Sequence, residues 1–189
     1  MRCVVCEAWS LRAICARCQE TFLPIAPKIR LLEDFKVYSF YSYEGISFLL
    51  NSKYYAIGSR IYSILAKRAR EYFSAQIQEG AFDGVCGVGI DDRAGDSYSH
   101  TGILLRAFSG IVRPIYGELI ARNRVQYAGK NLAFRQSNPK DFSFSLSAGE
   151  YVIFDDVITT GTSMLVAKRV MERSGARVVC GIVLADART

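Results

Sequence analysis

The residues best suited to chemistry in this sequence lie in VIFDDVITTGTS, residues 152 to 163. An apolar run ending at Phe154 predicts a buried strand, and two adjacent aspartates follow it. Residues 159–163 are small, mostly carry hydroxyls, and precede a helical pattern. Such a loop presents unpaired N–H groups and hydroxyls to an anion, and the helix dipole adds about half a positive charge. The pattern therefore predicts a phosphate-binding loop with two carboxylates beside it.

The loop lacks both the lysine of a P-loop and the glycine spacing of a dinucleotide fold. Two carboxylates next to a cradle for one phosphate suit a ligand with a vicinal diol near a phosphate, which describes a ribose 5-phosphate. Adjacent strand residues point to opposite faces, so Asp155 and Asp156 serve one ligand together only if the chain already turns there. The alternative is a helix N-cap beside a solvated acidic pair, which explains TGTS but not the whole pattern.

Four of the six cysteines form two C-x-x-C pairs near the N-terminus. They are Cys3, Cys6, Cys15 and Cys18. Two such pairs supply the four thiolates that tetrahedral zinc prefers, so we predict a structural zinc knuckle with no open coordination position. Two redox pairs are the alternative. Cys86 and Cys180 lie singly in apolar stretches, which predicts inert core thiols.

The composition is that of a globular chain, with 189 residues, half of them apolar, and a formal net charge of +6. No apolar run is long enough to cross a membrane. Cysteine and arginine occupy the place where a signal peptide has its apolar centre, so we expect a cytoplasmic protein. The positive charge favours an anionic partner such as nucleic acid, nucleotides or a membrane surface, without identifying it.

Strands and helices alternate in the second half of the chain. Strands are predicted within 82–90, 112–120, 150–154 and 176–185, and helices within 101–110 and 162–175. This alternation predicts an α/β architecture with a mostly parallel twisted sheet flanked by helices, which binds ligands at the carboxyl ends of its strands. We expect this domain to span residues 35–189, and residues 23–34, which contain two prolines, to link it to the knuckle at residues 1–22.

Two further segments each have two interpretations. Residues 35–45 are rich in aromatics and alternate in part, which favours a half-buried strand or hairpin, although aromatic residues also stack on bases. Residues 57–73 predict an amphipathic helix with a basic outer face. That face is solvated by default, and a nucleic-acid role is the alternative. The single histidine, His100, is expected at a helix N-terminus.

VIFDDVITTGTSM resembles the phosphoribosyl pyrophosphate (PRPP) motif of type I phosphoribosyltransferases, in which two acidic residues and a Thr/Gly loop follow apolar positions. The resemblance implies that Asp155 and Asp156 contact the ribose hydroxyls and that the loop holds the 5-phosphate. The implied loop residues are Thr159, Thr160, Gly161, Thr162 and Ser163. It also implies Mg²⁺ carried on the pyrophosphate and ribose oxygens.

Nearly the whole chain resembles the competence protein ComF family, which joins a zinc knuckle to a phosphoribosyltransferase domain and serves DNA uptake in natural transformation. The resemblance rests on the four-cysteine knuckle, the PRPP loop, and weaker matches at 43–45 and 53–54, at a basic stretch from Arg122, and at Arg135 and Asn138. The resemblance implies a cytoplasmic protein that binds single-stranded DNA and PRPP. A peripheral position at the inner membrane is the alternative location. The implied protein partners are the inner-membrane DNA-uptake machinery or a cytoplasmic helicase. The nucleic-acid contacts we expect are Lys53, Tyr54, Tyr55, Arg60, Lys67, Arg68, Arg124 and Arg135.

The sequence departs from this family where a pyrophosphate loop is expected. Gly87 and Gly89 stand where the family carries prolines, and Asp91 and Asp92 follow. Acidic residues there repel pyrophosphate unless they face away or hold magnesium. PRPP binding is therefore expected, while transfer is left open and no catalytic residue is named. The alternatives are an active phosphoribosyltransferase of unknown acceptor in nucleotide metabolism, and an adaptor that docks through the knuckle. The basic stretch from residue 122 to 135 is either a lid over the site or an exposed loop.

Overall fold

The structure is a computed structural model that describes residues 1–91, 98–123, 141–146 and 148–188. The helices in these ranges are α1 (Ala16–Phe22), α2 (Tyr43–Leu50), α3 (Gly58–Ser74), α4 (His100–Ala107) and α5 (Thr162–Arg173), with a 3₁₀ turn at Asn51–Tyr54. The strands are β1 (Lys28–Leu32), β2 (Phe35–Ser39), β3 (Tyr41–Ser42), β4 (Cys86–Gly89), β5 (Arg113–Ile115), β6 (Leu119–Ala121), β7 (Phe142–Phe144), β8 (Gly149–Ile158) and β9 (Ala176–Asp186). None of the described helices has the length and hydropathy needed to span a membrane.

The main sheet has the order β1-β2-β9-β8-β4-β5, and β3 continues from β2 alongside β9. All of its pairings are parallel except the antiparallel pairing of β1 with β2. A separate antiparallel pair is formed by β6 and β7. The central strands β8 and β9 are buried along most of their length, as parallel strands covered on both faces should be. The predicted α/β architecture with a mostly parallel sheet is confirmed.

The two faces of the sheet carry two separate hydrophobic clusters. Phe154 and Leu184 pack on one face with α3, α4 and the N-terminal residues. Ile153 and Val183 pack on the other face with α5 and the β6–β7 pair. The amphipathic helix predicted at 57–73 is confirmed as α3, whose buried residues recur at helical spacing.

The first strand lies inside the segment that we expected to be a linker. Residues 23–34 contain all of β1, which pairs with β2 at the edge of the main sheet. Both prolines of the segment precede β1, where no ladder N–H is required. Leu23 is fully buried in the cluster that also contains α3, and its carbonyl accepts a hydrogen bond from Arg68 Nη2 at 3.1 Å. The domain division at residues 22 and 35 stays a prediction, but β1 is part of the main sheet.

Two predicted strands have different bounds in the structure. The segment 112–120 is split into β5 and β6, which belong to different sheets, by a turn at Gly117 with φ of 74°. The strand predicted to end at Phe154 continues to Ile158, because β9 pairs with it as far as Ile158↔Asp186. On its other side the pairing with β4 stops at Phe154. The two aspartates therefore lie beyond the end of β4 but still within β8.

Candidate functional site

The candidate site is the connection between β8 and α5, residues 159–161, at the carboxyl end of the sheet. Gly161 has φ of 83°, and a Cβ at this position would lie 2.7 Å from Leu32 Cδ1. Glycine is therefore needed both for the backbone conformation and for the close approach to β1. Thr160 Oγ1 lies 2.9 Å from Thr162 Oγ1 and accepts the Thr162 N–H at 3.3 Å. These contacts order the loop immediately before α5 begins.

The carbonyl groups of this loop are turned towards Arg30 of β1. Its guanidinium donates to the carbonyl of Thr159 at 2.6 Å and to that of Thr160 at 3.2 Å, and it also donates to Asp186 Oδ1 at 3.1 Å. In a trans peptide the N–H points opposite to the C=O, so the N–H groups of Thr160 and Gly161 point away from Arg30. Sequence reasoning missed Arg30, because only the pairing of β1 brings this residue to the loop.

Asp155 and all five loop residues predicted to bind PRPP line a single pocket. Val157, Ile158 and Met164 complete the pocket lining. The structure therefore places one of the two aspartates with the predicted loop. The expected PRPP contacts stay predictions.

Asp156 does not line this pocket. It is 6% exposed, and its Oδ2 accepts hydrogen bonds from Lys53 Nζ at 2.9 Å and from the Tyr62 hydroxyl at 3.1 Å. His100 Nε2 lies 3.7 Å from the same oxygen. The side chains of Asp155 and Asp156 point to different sides because β8 is still an extended strand at these positions. Both aspartates could serve one ligand only if the chain turned at these positions, and β8 does not turn before Ile158.

The pKa shifts of Asp156 and Lys53 keep both side chains charged at neutral pH. Burial raises the pKa of Asp156, but His100, Lys53 and Tyr62 outweigh this effect and lower the pKa to about 2. Burial lowers the pKa of Lys53, but attraction to Asp156 raises it overall. Burial, together with the charge of Asp156, raises the pKa of Tyr62. The carboxylate of Asp156, the ammonium of Lys53 and the neutral phenol of Tyr62 therefore lie together, on the other side of β8 from the Asp155 side chain.

The four N-terminal cysteines form a second candidate site. Their sulfur atoms all lie within 4.8 Å of one another, and Cys6 Sγ is 3.8 Å from Cys15 Sγ. A tetrahedral site with Zn–S bonds of about 2.3 Å needs sulfurs about 3.8 Å apart. Burial raises the pKa of Cys3, but N–H groups of Cys15, Cys6 and Val5 outweigh it and lower the pKa to about 6. A donor set of four cysteine sulfurs at this spacing fits a four-coordinate structural metal such as zinc.

The two remaining cysteines lie in the core, as predicted. Cys86 and Cys180 are 4% and 3% exposed. Burial raises the pKa of Cys180 to about 12, so its thiol stays protonated at neutral pH.

Six of the predicted nucleic-acid contacts lie in the described part of the chain. Lys53 is bound to Asp156, and Arg68 is bound to the Leu23 carbonyl, so both have partners within the protein. Arg60 and Lys67 are exposed on α3. Tyr54 and Tyr55 are 68% and 67% exposed, and Lys53 Nζ lies 5.7 Å from the Tyr54 ring centroid. The two other predicted contacts, Arg124 and Arg135, lie outside the described residues, as do Lys130 of the same basic stretch and Asn138 of the family match.

The expected pyrophosphate loop is described only at its start. Asp91 has φ of 51°, and its Oδ1 accepts the Ala121 N–H at 3.4 Å, so its carboxylate faces the β6–β7 pair. Asp92 and residues 93–97 lie outside the described residues. A Cβ on Gly87 would lie 2.6 Å from Leu105 Cδ1, so this glycine allows α4 to pack on β4. Apart from the four cysteines, the described ranges contain no group of three His, Cys, Asp or Glu side chains that could hold a metal.

Comparison with known proteins gives similarity to solved structures alone. No family model matches the chain, and no curated protein matches it in sequence. An adenine phosphoribosyltransferase is 12% identical over 92% of this chain and 91% of its own, with a TM-score of 0.44. An orotate phosphoribosyltransferase from Aeropyrum pernix is 15% identical over 92% and 81%, with a TM-score of 0.43. A phosphoribosyltransferase from Corynebacterium diphtheriae is 16% identical over 92% and 83%, with a TM-score of 0.41. Similarity at this level assigns neither an activity nor a residue role to this chain.

Proposed function

We propose that this protein binds PRPP through the 5-phosphate and ribose, at the β8–α5 loop of a phosphoribosyltransferase-like domain. The observation that carries the proposal is that Asp155 and the five loop residues line one pocket at the carboxyl end of a central parallel strand. Open α/β sheets bind their ligands at this end of the sheet. The motif resemblance and the geometry therefore support the same ligand.

The loop supplies the phosphate contacts in this proposal. The N–H groups of Thr160 and Gly161 point away from Arg30, and the hydroxyls of Thr160 and Thr162 lie beside them. The N-terminus of α5 adds a partial positive charge at the same place. Asp155 accepts hydrogen bonds from the ribose hydroxyls. Mg²⁺, bound together with PRPP, neutralises the pyrophosphate.

Asp156 has a different position in this proposal. Its carboxylate is buried against Lys53 and Tyr62, so a direct ribose contact would require it to give up these hydrogen bonds. Its role as a ribose ligand therefore stays a prediction, and the geometry favours Asp155 as the ribose ligand.

The biological role that we propose is DNA uptake and handling in natural transformation, with binding of single-stranded DNA. This part rests on the ComF-like arrangement of a four-cysteine knuckle followed by a PRPP loop. Exposed Tyr54 and Tyr55 support it, because exposed aromatic rings beside basic side chains suit single-stranded nucleic acid. The knuckle takes a structural Zn²⁺, and the proposed location is the cytoplasm or the cytoplasmic side of the inner membrane. The proposed protein partners are the DNA-uptake machinery or a helicase.

An active phosphoribosyltransferase of unknown acceptor is the second candidate. One observation favours it: the carboxylate of Asp91 accepts the Ala121 N–H, and Asp91 does not line the loop pocket. Its repulsion of a pyrophosphate is therefore weaker than that of a carboxylate in the pocket itself. Release of pyrophosphate from PRPP with any member of a broad acceptor panel would support this candidate.

Calorimetric titration tests the proposed ligand. We expect PRPP with Mg²⁺ and ribose 5-phosphate to bind, and ribose without phosphate to bind much more weakly, because the loop recognises the phosphate. A Thr160→Val substitution should weaken both phosphorylated ligands. Absence of binding for PRPP and ribose 5-phosphate at millimolar concentration would overturn the proposal.

A further inference from the structure

We propose that Arg30 is a positioning residue for the phosphate-binding loop, fixing the loop carbonyls on the side away from the ligand. The inference rests on the proposed function, because it assigns a role within the same site. Arg30 lies on β1, 129 residues before Thr159 in the chain, and its side chain is 14% exposed. Its hydrogen bonds to the predicted PRPP-binding loop go to two backbone carbonyls, those of Thr159 and Thr160.

Both terminal nitrogens of the Arg30 guanidinium donate hydrogen bonds, in a fork arrangement. Nη1 donates to the Thr159 carbonyl at 2.6 Å and to Asp186 Oδ1 at 3.1 Å, and Nη2 donates to the Thr160 carbonyl at 3.2 Å. A planar guanidinium holds such groups in fixed relative positions, which a lysine ammonium does not do. Arg30 therefore connects the edge strand β1, the end of β9 and the loop after β8.

The orientation of two peptide groups depends on this fork. If the carbonyls of Thr159 and Thr160 were free to rotate, their negative ends could face the pocket, and the N–H groups of Thr160 and Gly161 would then face away from a phosphate. A carbonyl oxygen facing the phosphate repels it, whereas an N–H group binds it. The contact between Gly161 and Leu32 fixes the loop against the same strand.

Orientation, rather than charge, is the main contribution. The charge of Arg30 is balanced by Asp186 at 3.1 Å, so the pair presents little net charge to the pocket. A substitution that keeps the charge but removes the fork separates the two effects. Arg30→Lys should therefore fail to restore full affinity, although its charge is retained.

The experiment uses the full chain with Arg30→Met, Arg30→Lys and the double variant Arg30→Met with Asp186→Asn. The double variant removes both charges, so no buried carboxylate is left unpaired. Arg169→Met is the matched control, because Arg169 joins α5 to Glu33 of the β1–β2 turn at 2.6 Å and does not line the loop pocket. The measurements are amide hydrogen exchange across residues 159–163 and calorimetric affinity for PRPP with Mg²⁺ and for ribose 5-phosphate.

We expect faster exchange in the loop and about ten- to hundredfold weaker binding of both ligands in Arg30→Met and in the double variant. The affinity and loop exchange of Arg30→Lys should lie between those of these variants and those of the wild type. Arg169→Met should match the wild type in both measurements. Unchanged loop exchange in Arg30→Met, or full affinity in either Met variant or in Arg30→Lys, would overturn the inference. If the wild type binds neither ligand, the proposed function fails, while the exchange measurement still decides whether Arg30 holds the loop.

Discussion

The ammonium of Lys53 lies 2.9 Å from the carboxylate of Asp156, which is 103 residues later in the chain. This ion pair joins the 3₁₀ turn at Asn51–Tyr54 to β8, one residue from Asp155. Tyr62 of α3 and His100 of α4 complete the surroundings of the carboxylate. Asp156 therefore links β8 to the 3₁₀ turn and to α3, whereas Asp155 lines the loop pocket.

The two aspartates should respond differently to substitution. Asp155→Asn is expected to weaken PRPP binding about tenfold or more, because the amide makes weaker hydrogen bonds to the ribose hydroxyls than a carboxylate does. Its free energy of unfolding should change little, because the amide oxygen can still accept the Asp156 N–H that Asp155 Oδ1 accepts at 2.8 Å. Asp156→Asn is expected to lower the free energy of unfolding by about 2 kcal/mol, because Lys53 loses a buried partner. Calorimetric titration and urea denaturation measure the two effects. A fully stable Asp156→Asn protein that has lost PRPP binding would instead support a direct ribose contact.

Acid should weaken the fold through Asp156. Its pKa is about 2 in the folded protein against an ordinary value of 3.8, so the unfolded state takes up the proton first as the pH falls. The resulting stability, about 2 kcal/mol, is fully present above about pH 4 and is lost as the pH falls towards 2. Urea denaturation between pH 5 and pH 2 should show this loss in the wild type and lack it in Asp156→Asn. In Lys53→Met the loss should be smaller and should end at a higher pH, because with fewer charged partners the folded-state pKa of Asp156 lies closer to 3.8; an unchanged profile would contradict the assignment.

Removal of metal should destabilise the whole fold, not only the knuckle. Cys3 and Cys18 are buried in the same cluster as α3, so loss of zinc disturbs residues that pack on the sheet. We expect one zinc per chain by elemental analysis, and a melting temperature lowered by about 5 °C or more in Cys15→Ser or after chelation. Cys180→Ala should keep its zinc, since Cys180 is not one of the four cysteines whose sulfurs lie together. Full zinc content in Cys15→Ser would argue against the four-thiolate site.

Binding of single-stranded DNA should depend steeply on salt. Each phosphate contact made by Arg60 or Lys67 contributes a slope of about −0.7 in a plot of log affinity against log salt concentration. Lys67→Ala should therefore reduce the slope by about this amount, whereas Tyr54→Ala should weaken binding without changing the slope, because stacking releases no counterions. Fluorescence anisotropy with a labelled oligonucleotide measures both quantities. A slope near zero in the wild type would contradict the phosphate contacts.

Features that depend on residues close together in the chain could be predicted from the sequence. The 3.6-residue period predicted α3, and the C-x-x-C spacing predicted the four-cysteine cluster. The small residues before an apolar-periodic helix predicted a loop at 159–163, of which 159–161 form the connection and Thr162 and Ser163 begin α5. In each case the geometry follows from helical or turn conformations within a few residues, so the local pattern carries the information.

The distant residues that contact this loop and Asp156 could not be predicted from the sequence. Arg30 reaches Thr159 and Thr160 because β1 pairs at the edge of the sheet, and Lys53 reaches Asp156 because the 3₁₀ turn packs against the end of β8. The separation of Asp155 from Asp156 depends on the pairing with β9, which keeps β8 extended to Ile158. Strand order and register arise from contacts between residues far apart in the chain, and a local sequence pattern does not encode them.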